Sequence, residues 1–590
     1  MITMKTSKYI IPALLLFTTW SNAQTVDQNV TVEREYKPVI QDAGKISSVP
    51  EVMNPNAEKI AAKYTEFNLP LTVGQNIHTL SAAELGHQQR KNPNDAFVKV
   101  GIGNYFNNTV DFALPIIKKT DLKLDLKLNH LATFSQEAHS STNASLALDK
   151  YFKKSNLYSG IGLGHEYFNY YGNEYNKTGS ITDLSSLAVS EGSNEYLEQN
   201  LVRINRTANK FKLDEIVKSE NDVFWRFNTH LGIRSLPYTT GVRYVGEVEY
   251  KLFDSRNGLT ENMIHTRAGF NSQNGKNRLG LELSMQNMMY KSDIASTIIN
   301  VWDAYTVFSM NPYYRKKKKK WNVRLGVKSS FSFVHGRPFN PSPDISAEWK
   351  AVPKWLDFYA GVGGGYNVNT LDEMFKENRF LHSDLRVKDT YTPVSAYFGI
   401  KVKPVYNLLL DAYVNYRYID NQYFFINKDY SAVAGTVLAN PNDSIIYSNR
   451  FNVIYSAASL VKVGLRANYN IRNLINIQLK GAYNGWTVYD TDMAWNMPKF
   501  EADLAADWRF NRNLSFSGNM FFESERYAKL GDLIMTMKPK VDVNIGASYS
   551  YLNWLTIFAK VNNILNNRYE NFYGYKVQGL NILAGAAISF

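Results

Sequence analysis

Cysteine is absent from all 590 residues. That excludes disulfide frameworks, Cys-ligated zinc, iron–sulfur clusters, thiol catalysis and an acylated N-terminal cysteine. Also missing is any run of ~18 or more apolar residues, so no helix is long and apolar enough to cross a bilayer. The nine histidines show neither His-x-x-x-His nor HExxH spacing. Acidic residues are in deficit, 53 against 66 Lys and Arg. Mean hydropathy is low, at −0.33. Aromatics, by contrast, are abundant, with 39 Tyr and 32 Phe. A length that at ~150 residues per domain suggests about four ordinary domains is better explained by one strand-rich body.

The first 23 residues read as a secretory signal. Lys5 and Lys8 supply a positive start, and Tyr9 to Phe17 form an apolar core too short to span a membrane. Ser21-Asn22-Ala23 then places small residues before Gln24. The mature chain would carry 66 − 53 = +13, less the two signal lysines, or +11. Export makes nucleic acid an improbable partner for this excess. A lipopolysaccharide-rich outer membrane is the natural one.

From about residue 96 onward the dominant pattern has period two. Leu122, Leu124, Leu126 and Leu128 alternate with Lys123, Asp125 and Lys127. Phe500, Ala502, Leu504, Ala506 and Trp508 alternate with Glu501, Asp503, Asp507 and Arg509. Successive strand side chains point to opposite faces, so each segment is apolar on one side and polar on the other. A soluble sandwich alternates too, but its strands average ~5–6 residues, whereas these runs last ~10–14, the reach of a tilted membrane strand. Aromatics such as Trp321, Trp355, Trp486 and Trp554 gather at the run ends, where interfacial girdles sit. Short turns alternate with long polar connections. The fold class expected is therefore all-β: a transmembrane antiparallel β-barrel over residues 96–590, preceded by a periplasmic arm over 24–95. Segment counting gives 22 strands, with 14–18 strands and longer loops as the alternative. The region 420–458 has room for a further hairpin.

The last strand orients the barrel. Leu580, Ile582, Ala584, Ala586, Ile588 and Phe590 share a face, and a terminal aromatic there resembles the signal read by the outer-membrane insertion machinery. Phe590 at the periplasm puts short turns inside and long loops outside. The run Lys316–Lys320 then falls in a periplasmic turn, either simply solvated or touching peptidoglycan or a partner. Candidate lumen-lining residues are Asp503, Asp507, Arg509, Asp542, Arg324 and Lys328. Their mixed signs suit a hydrated channel, or ion pairs that knit an occupied interior, rather than a strongly selective pore.

Chemical motifs are weak. Gly361-Val362-Gly363-Gly364-Gly365 lacks the Lys-Ser/Thr and helix of a phosphate loop, and fits strand curvature better. Asp490 and Asp492 fall short of the six to eight oxygens calcium needs. No catalytic residue, cofactor or metal is expected, and the protein reads as a non-enzyme.

Val561-Asn562-Asn563-Ile564-Leu565-Asn566-Asn567-Arg568-Tyr569-Glu570, with Gln578-Gly579-Leu580-Asn581-Ile582 and the closing Phe590, resembles the end of a TonB-dependent receptor barrel. The resemblance implies an importer whose N-terminal plug of well over a hundred residues fills the lumen. Here only 72 residues lie between Gln24 and Asp95, broken by Pro38, Pro50, Pro55 and Pro70 and with at best two short helical stretches near 56–64 and 81–90. The chain is thus similar to plug-less, TonB-receptor-like barrels of Bacteroidota-type bacteria. Val30, Thr31, Val32 and Glu33 form a candidate strand for a periplasmic partner, since an extended peptide can add to a sheet edge. Two functions follow. One is a scaffold or accessory subunit of an envelope complex for assembly, secretion or surface-protein handling. The other is a large diffusion channel, or a TonB-linked importer of small solutes closed by loops or a separate plug.

Overall fold

The computed structural model describes residues 96–172, 221–236, 241–274, 277–292, 304–382, 385, 387–427, 449–472, 474–530 and 533–590. The signal segment, the 24–95 arm and the candidate strand Val30–Glu33 lie outside the described residues.

Twenty-two antiparallel strands close on themselves. The first, Phe97–Gly103, pairs with the last, Asn581–Ser589, in unbroken register from Phe97↔Ser589 to Gly103↔Leu583. The Phe590 amide adds a hydrogen bond to the Ala96 carbonyl, 2.8 Å. Closure leaves no unpaired edge, which is what a strand needs where lipid offers no hydrogen bonds. The count and the period-two segments match expectation, and the 14–18-strand alternative falls away. A barrel of 22 strands spaced ~4.8 Å apart and tilted ~40° is roughly 40 Å across, too wide for opposite wall side chains to meet.

Alternation sorts the two faces. Phe500, Leu504 and Trp508 are exposed on the outer wall, as are Val461, Val463 and Leu465 on an earlier strand. Inward positions carry the polar set. The wall is uneven in height. Leu408–Asn427 and Phe451–Ile471 run 20 and 21 residues, whereas Phe97–Gly103 and Leu555–Asn562 at the seam run 7 and 8. The room left for a hairpin in 420–458 is partly taken by these two tall strands, which stay paired from Gln422↔Ser456 to Asn427↔Phe451. Short turns do not all share one end as expected: Arg256–Gly258, at the long-loop end, is as tight as any, with Gly258 in the left-handed region at φ 91°.

Two long connections have structure that hydrophobic periodicity does not reveal. Arg526–Leu530 and Leu533–Met537 form a hairpin, and Leu371–Glu377 forms a short helix. The Gly361–Gly365 run is strand, with a register shift between Gly363 and Gly365. A Cβ at Gly364 would collide with the Thr392 carbonyl, so here glycine permits close backbone approach.

Candidate functional site: a closed barrel mouth

In the half of the lumen nearer the short turns, inward tyrosines lie over glycines of neighbouring strands. Tyr158 covers Gly232, Tyr313 covers Gly280, Tyr359 covers Gly399 and Tyr413 covers Gly464; a Cβ at any of these glycines would strike the ring. Cations sit over the same rings: Arg324 at 3.7 Å from the Tyr313 centroid, Arg466 at 4.5 Å from Tyr413, Lys401 at 4.7 Å from Tyr359 and Arg234 at 4.8 Å from Tyr158. Carboxylates complete each rung, with the Tyr158 hydroxyl donating to Glu247 (2.7 Å) and that of Tyr359 to Asp411 (2.6 Å). These contacts link strands one or two places apart, so they stiffen the wall without crossing the lumen.

Of the expected lumen residues only Arg324 belongs to one of these rungs, and the six do not form one site. Arg324 donates to Asp344 at 2.7 Å, and Lys328 to the Gly364 carbonyl at 3.1 Å. Asp503 accepts from Asn519 at 3.1 Å, while Asp507 and Arg509 lie on the same strand opposite Ser517 and Ser515. Asp542 accepts from the Tyr569 hydroxyl at 2.8 Å. Arg324 and Lys328 are on the eleventh strand, and the others are on the eighteenth and twentieth.

At the long-loop end the rule changes. The connection 368–389 leaves the thirteenth strand and carries its helix to the tops of the fifth to eighth. Thr370 caps the helix by accepting from the Glu373 amide (3.1 Å), Asp372 and Glu373 occupy its first turn, and Lys376 its last. Its apolar side, Leu371, Met374 and Phe375, is buried in one cluster with Phe168, Phe224, Phe253 and Leu259. Phe375 rings sit 5.0 Å from Phe224 and 5.4 Å from Phe253. The chain then turns to the sixteenth strand, where backbone bonds link Phe451 to Phe380 (3.0 Å) and His382 to Phe451 (2.8 Å). Phe380 stacks on Tyr575, centroids 3.6 Å apart, bringing in the small hairpin of Glu570–Phe572 and Tyr575–Lys576.

Polar latches hold the connection down. Arg226 donates to Glu166 (2.7 Å) and to Asp372 (2.6 Å), and Arg379 meets Glu166 at 3.1 Å. Glu261 accepts from the Leu371 amide (2.6 Å), Glu377 from the Tyr423 hydroxyl, and Asp389 from the hydroxyls of Tyr305 (2.9 Å) and Tyr366 (2.7 Å). Burial pushes the Glu377 carboxyl up to about 8, opposed by the Tyr423 hydrogen bond and reinforced by the Glu373 charge. Burial also raises Glu373 and Asp389. For Asp372, burial is outweighed by the Lys376 and Arg226 charges, which hold its carboxyl low.

The decisive contact crosses the whole opening. Asn449, just before the sixteenth strand, donates its amide to the Tyr170 carbonyl, just after the fifth, at 3.1 Å. Arg450 lies 4.3 Å over the Tyr170 ring, and the Tyr575 hydroxyl donates to the Asn449 carbonyl. Strands five and sixteen are eleven apart in a ring of 22, so diametrically opposite walls touch. The mouth is shut.

Sequence reasoning missed this assembly, because its members are scattered over loops and strand tips. The phenylalanines that break alternation past the expected strand end, Phe424 and Phe425, were the available signal. Phe425 faces the mouth cluster, while Phe424 packs in a separate cluster with Ala458, Trp486 and the fully buried Trp495 of the 489–499 connection. Arg526 was also missed. Wholly buried, it donates to the carbonyl of Asn571 (2.8 Å) and to that of Glu570, tying the long hairpin to the mouth. Asp490 accepts from the Ala457 amide (2.9 Å) and its own amide donates to the Ser456 hydroxyl oxygen (3.0 Å), and no group of three metal-ligating side chains occurs among the described residues. The Asn-rich stretch that carries the resemblance is a polar clamp beside the seam. The Asn563 backbone N–H donates to Asn544 Oδ1 (2.9 Å), and its side-chain amide donates to the carbonyls of Asn567 and Gln578.

The fold is shared with solved structures at low sequence identity. The ferric enterobactin receptor PfeA of Pseudomonas aeruginosa, a double mutant, is similar at 11% identity and TM-score 0.57, over 84% of this chain and 80% of its own. The siderophore receptor PirA of Acinetobacter baumannii is similar at 11% and 0.58, over 85% and 81%. The copper transporter OprC is similar at 11% and 0.59, over 84% and 80%. No protein-family model matches the sequence, and no curated protein matches it.

Proposed function

We propose that the protein is an outer-membrane barrel of the TonB-dependent-receptor type that imports small solutes through a mouth closed at rest by its own loops. The Asn449–Tyr170 contact between opposite walls carries the reading, because a freely conducting channel of this width has no use for it. The fold neighbours are receptors and a transporter, and their cargoes make ferric chelates and copper the first solutes to try. Val30–Glu33 is the proposed strand through which an energy-coupling partner pulls, and Asp503, Asp507, Arg509, Asp542, Arg324 and Lys328 the proposed wetted lining. In planar bilayers the intact protein should be electrically silent, and deletion of 371–387 should give large steps. Equal conductance from both would sink the proposal.

A second reading, scaffold in an envelope complex, is favoured by the seam rim. Phe106, Phe134 and Leu565 stand 77%, 66% and 56% exposed at the tops of strands at and beside the seam, a face suited to a membrane partner. Mild-detergent purification that always yields a solitary barrel would rule it out.

A further inference from the structure

Solute import makes no use of the five consecutive lysines. Lys316–Lys320 occupy the turn between Tyr305–Lys317 and Trp321–Phe333, and all five are exposed. The next turns along the wall carry Lys350 and Lys354, then Lys403, also exposed. Backbone hydrogen bonds from Lys350 to the Lys320 carbonyl (2.9 Å) and from Lys403 to the Trp355 carbonyl (2.8 Å) weld the three turns into one rim. No salt bridge joins any of these eight lysines to a described carboxylate. Glu348 accepts from Asn322 on the inner face, and Asp357 is paired in the sheet with Lys350 and Lys401.

The outer wall immediately above these turns is aromatic. Trp321 stacks on Trp349 with centroids 5.3 Å apart and planes 9° apart, Trp349 on Phe358 at 5.6 Å, and Phe358 on Phe398 at 6.4 Å. Trp321 follows Lys320, Trp349 precedes Lys350 and Trp355 follows Lys354, so each ring is one residue from a cation. Indole rings settle at the headgroup level of a bilayer. The ammonium groups beside them therefore sit at the depth of the lipid phosphates, within the range where a basic residue feels an anionic leaflet. The charge is not spread evenly around the rim: the seam turn Tyr551-Leu552-Asn553-Trp554 has rings but no base.

We propose that this arc binds the anionic phospholipid headgroups of the leaflet on the short-turn side, fixing the barrel's depth and orientation through phosphate contacts beneath the indole ladder. The inference rests on the outer-membrane reading above, but not on import. The test uses full-length protein in nanodiscs of phosphatidylethanolamine with one-fifth phosphatidylglycerol. Brominated acyl chains placed on one lipid, then the other, report which lipid neighbours the tryptophans. Phosphatidylglycerol should quench at least threefold more per molecule in the intact protein. Replacing Lys316–Lys320 by glutamine should erase the preference, while arginine at the same positions should keep it. Loss of two charges on another short turn, K118Q with K119Q, should leave it intact. Equal quenching by the two lipids in the intact protein, which needs no variant, overturns the proposal. So does a glutamine variant that keeps its lipid preference yet stops binding peptidoglycan sacculi, because the lysines then serve the cell wall. Failure to insert at all would instead undermine the outer-membrane reading.

Discussion

The two halves of the lumen are lined by the same kinds of side chain and do opposite things with them. In the lower half, Arg324, Tyr313 and Asp344 join strands that are near neighbours, and Arg466, Tyr413 and Asp411 do likewise. At the mouth, Arg226, Glu166 and Asp372 join the fifth and sixth strands to a connection leaving the thirteenth. A contact between neighbours reinforces a wall that backbone hydrogen bonds already hold, so its loss is felt as stability. A contact across the ring has no continuous backbone ladder behind it, so its loss is felt as conductance.

Substitutions can break that division. The largest effect is expected from R226A, which removes the cation that Glu166 and Asp372 share and leaves them only the cations Arg379 and Lys376. A buried pair that loses one partner outright costs up to ~3–5 kcal/mol, here drawn from contacts across the mouth, so bilayer recordings should show frequent openings while barrel melting moves little. Next comes G464A. Its Cβ drives into the Tyr413 ring, and such overpacking costs ~1–3 kcal/mol. The melting temperature should fall with conductance unchanged; a leaky but thermally normal G464A would erase the distinction between the halves. T370A removes the helix cap, worth ~1 kcal/mol, and should give brief, rare openings in the same recordings.

The gentlest probe is pH. Glu377, Glu373 and Asp389 have raised carboxyl values when buried under the closed mouth, so the closed form holds protons that the open form releases. Their contribution to closure is complete below the ordinary carboxylate range and is lost as pH rises, for Glu377 through about 8. Asp372 is held low and has the opposite sign: its contribution is present above its ordinary value and fades only under strong acid. Open probability should therefore climb as pH rises from the ordinary carboxylate range to about 8 and level off above it, by no more than ~10-fold per unit for each proton released. E377Q, a permanent mimic of the protonated form, should flatten the rise. An open probability that falls over this interval would contradict the assignment.

Legibility in the sequence followed the range of the interactions. Strands such as Leu514–Glu523 and Trp321–Phe333 could be placed almost to the residue, because period-two alternation against lipid is a local property. The lumen-facing charges were equally readable, since Asp503 and Arg324 simply alternate with lipid-facing neighbours. Their partners were not readable. Whether Arg324 serves a channel or a rung depends on Asp344, twenty residues away, and on the ring of Tyr313 beneath it.

Chain chemistry alone determined that this protein is a closed, lipid-facing cylinder, because an alternating strand has only one stable way to satisfy both lipid and its own backbone. Only tertiary structure decided that connections from opposite walls meet over one end of the cylinder. Phe375, Phe380 and Tyr575 come from connections whose patterns lack periodicity, and Asn449 meets Tyr170 from 279 residues away. That meeting is set by how far each loop reaches over a ring of fixed width, and no local window of sequence contains that geometry.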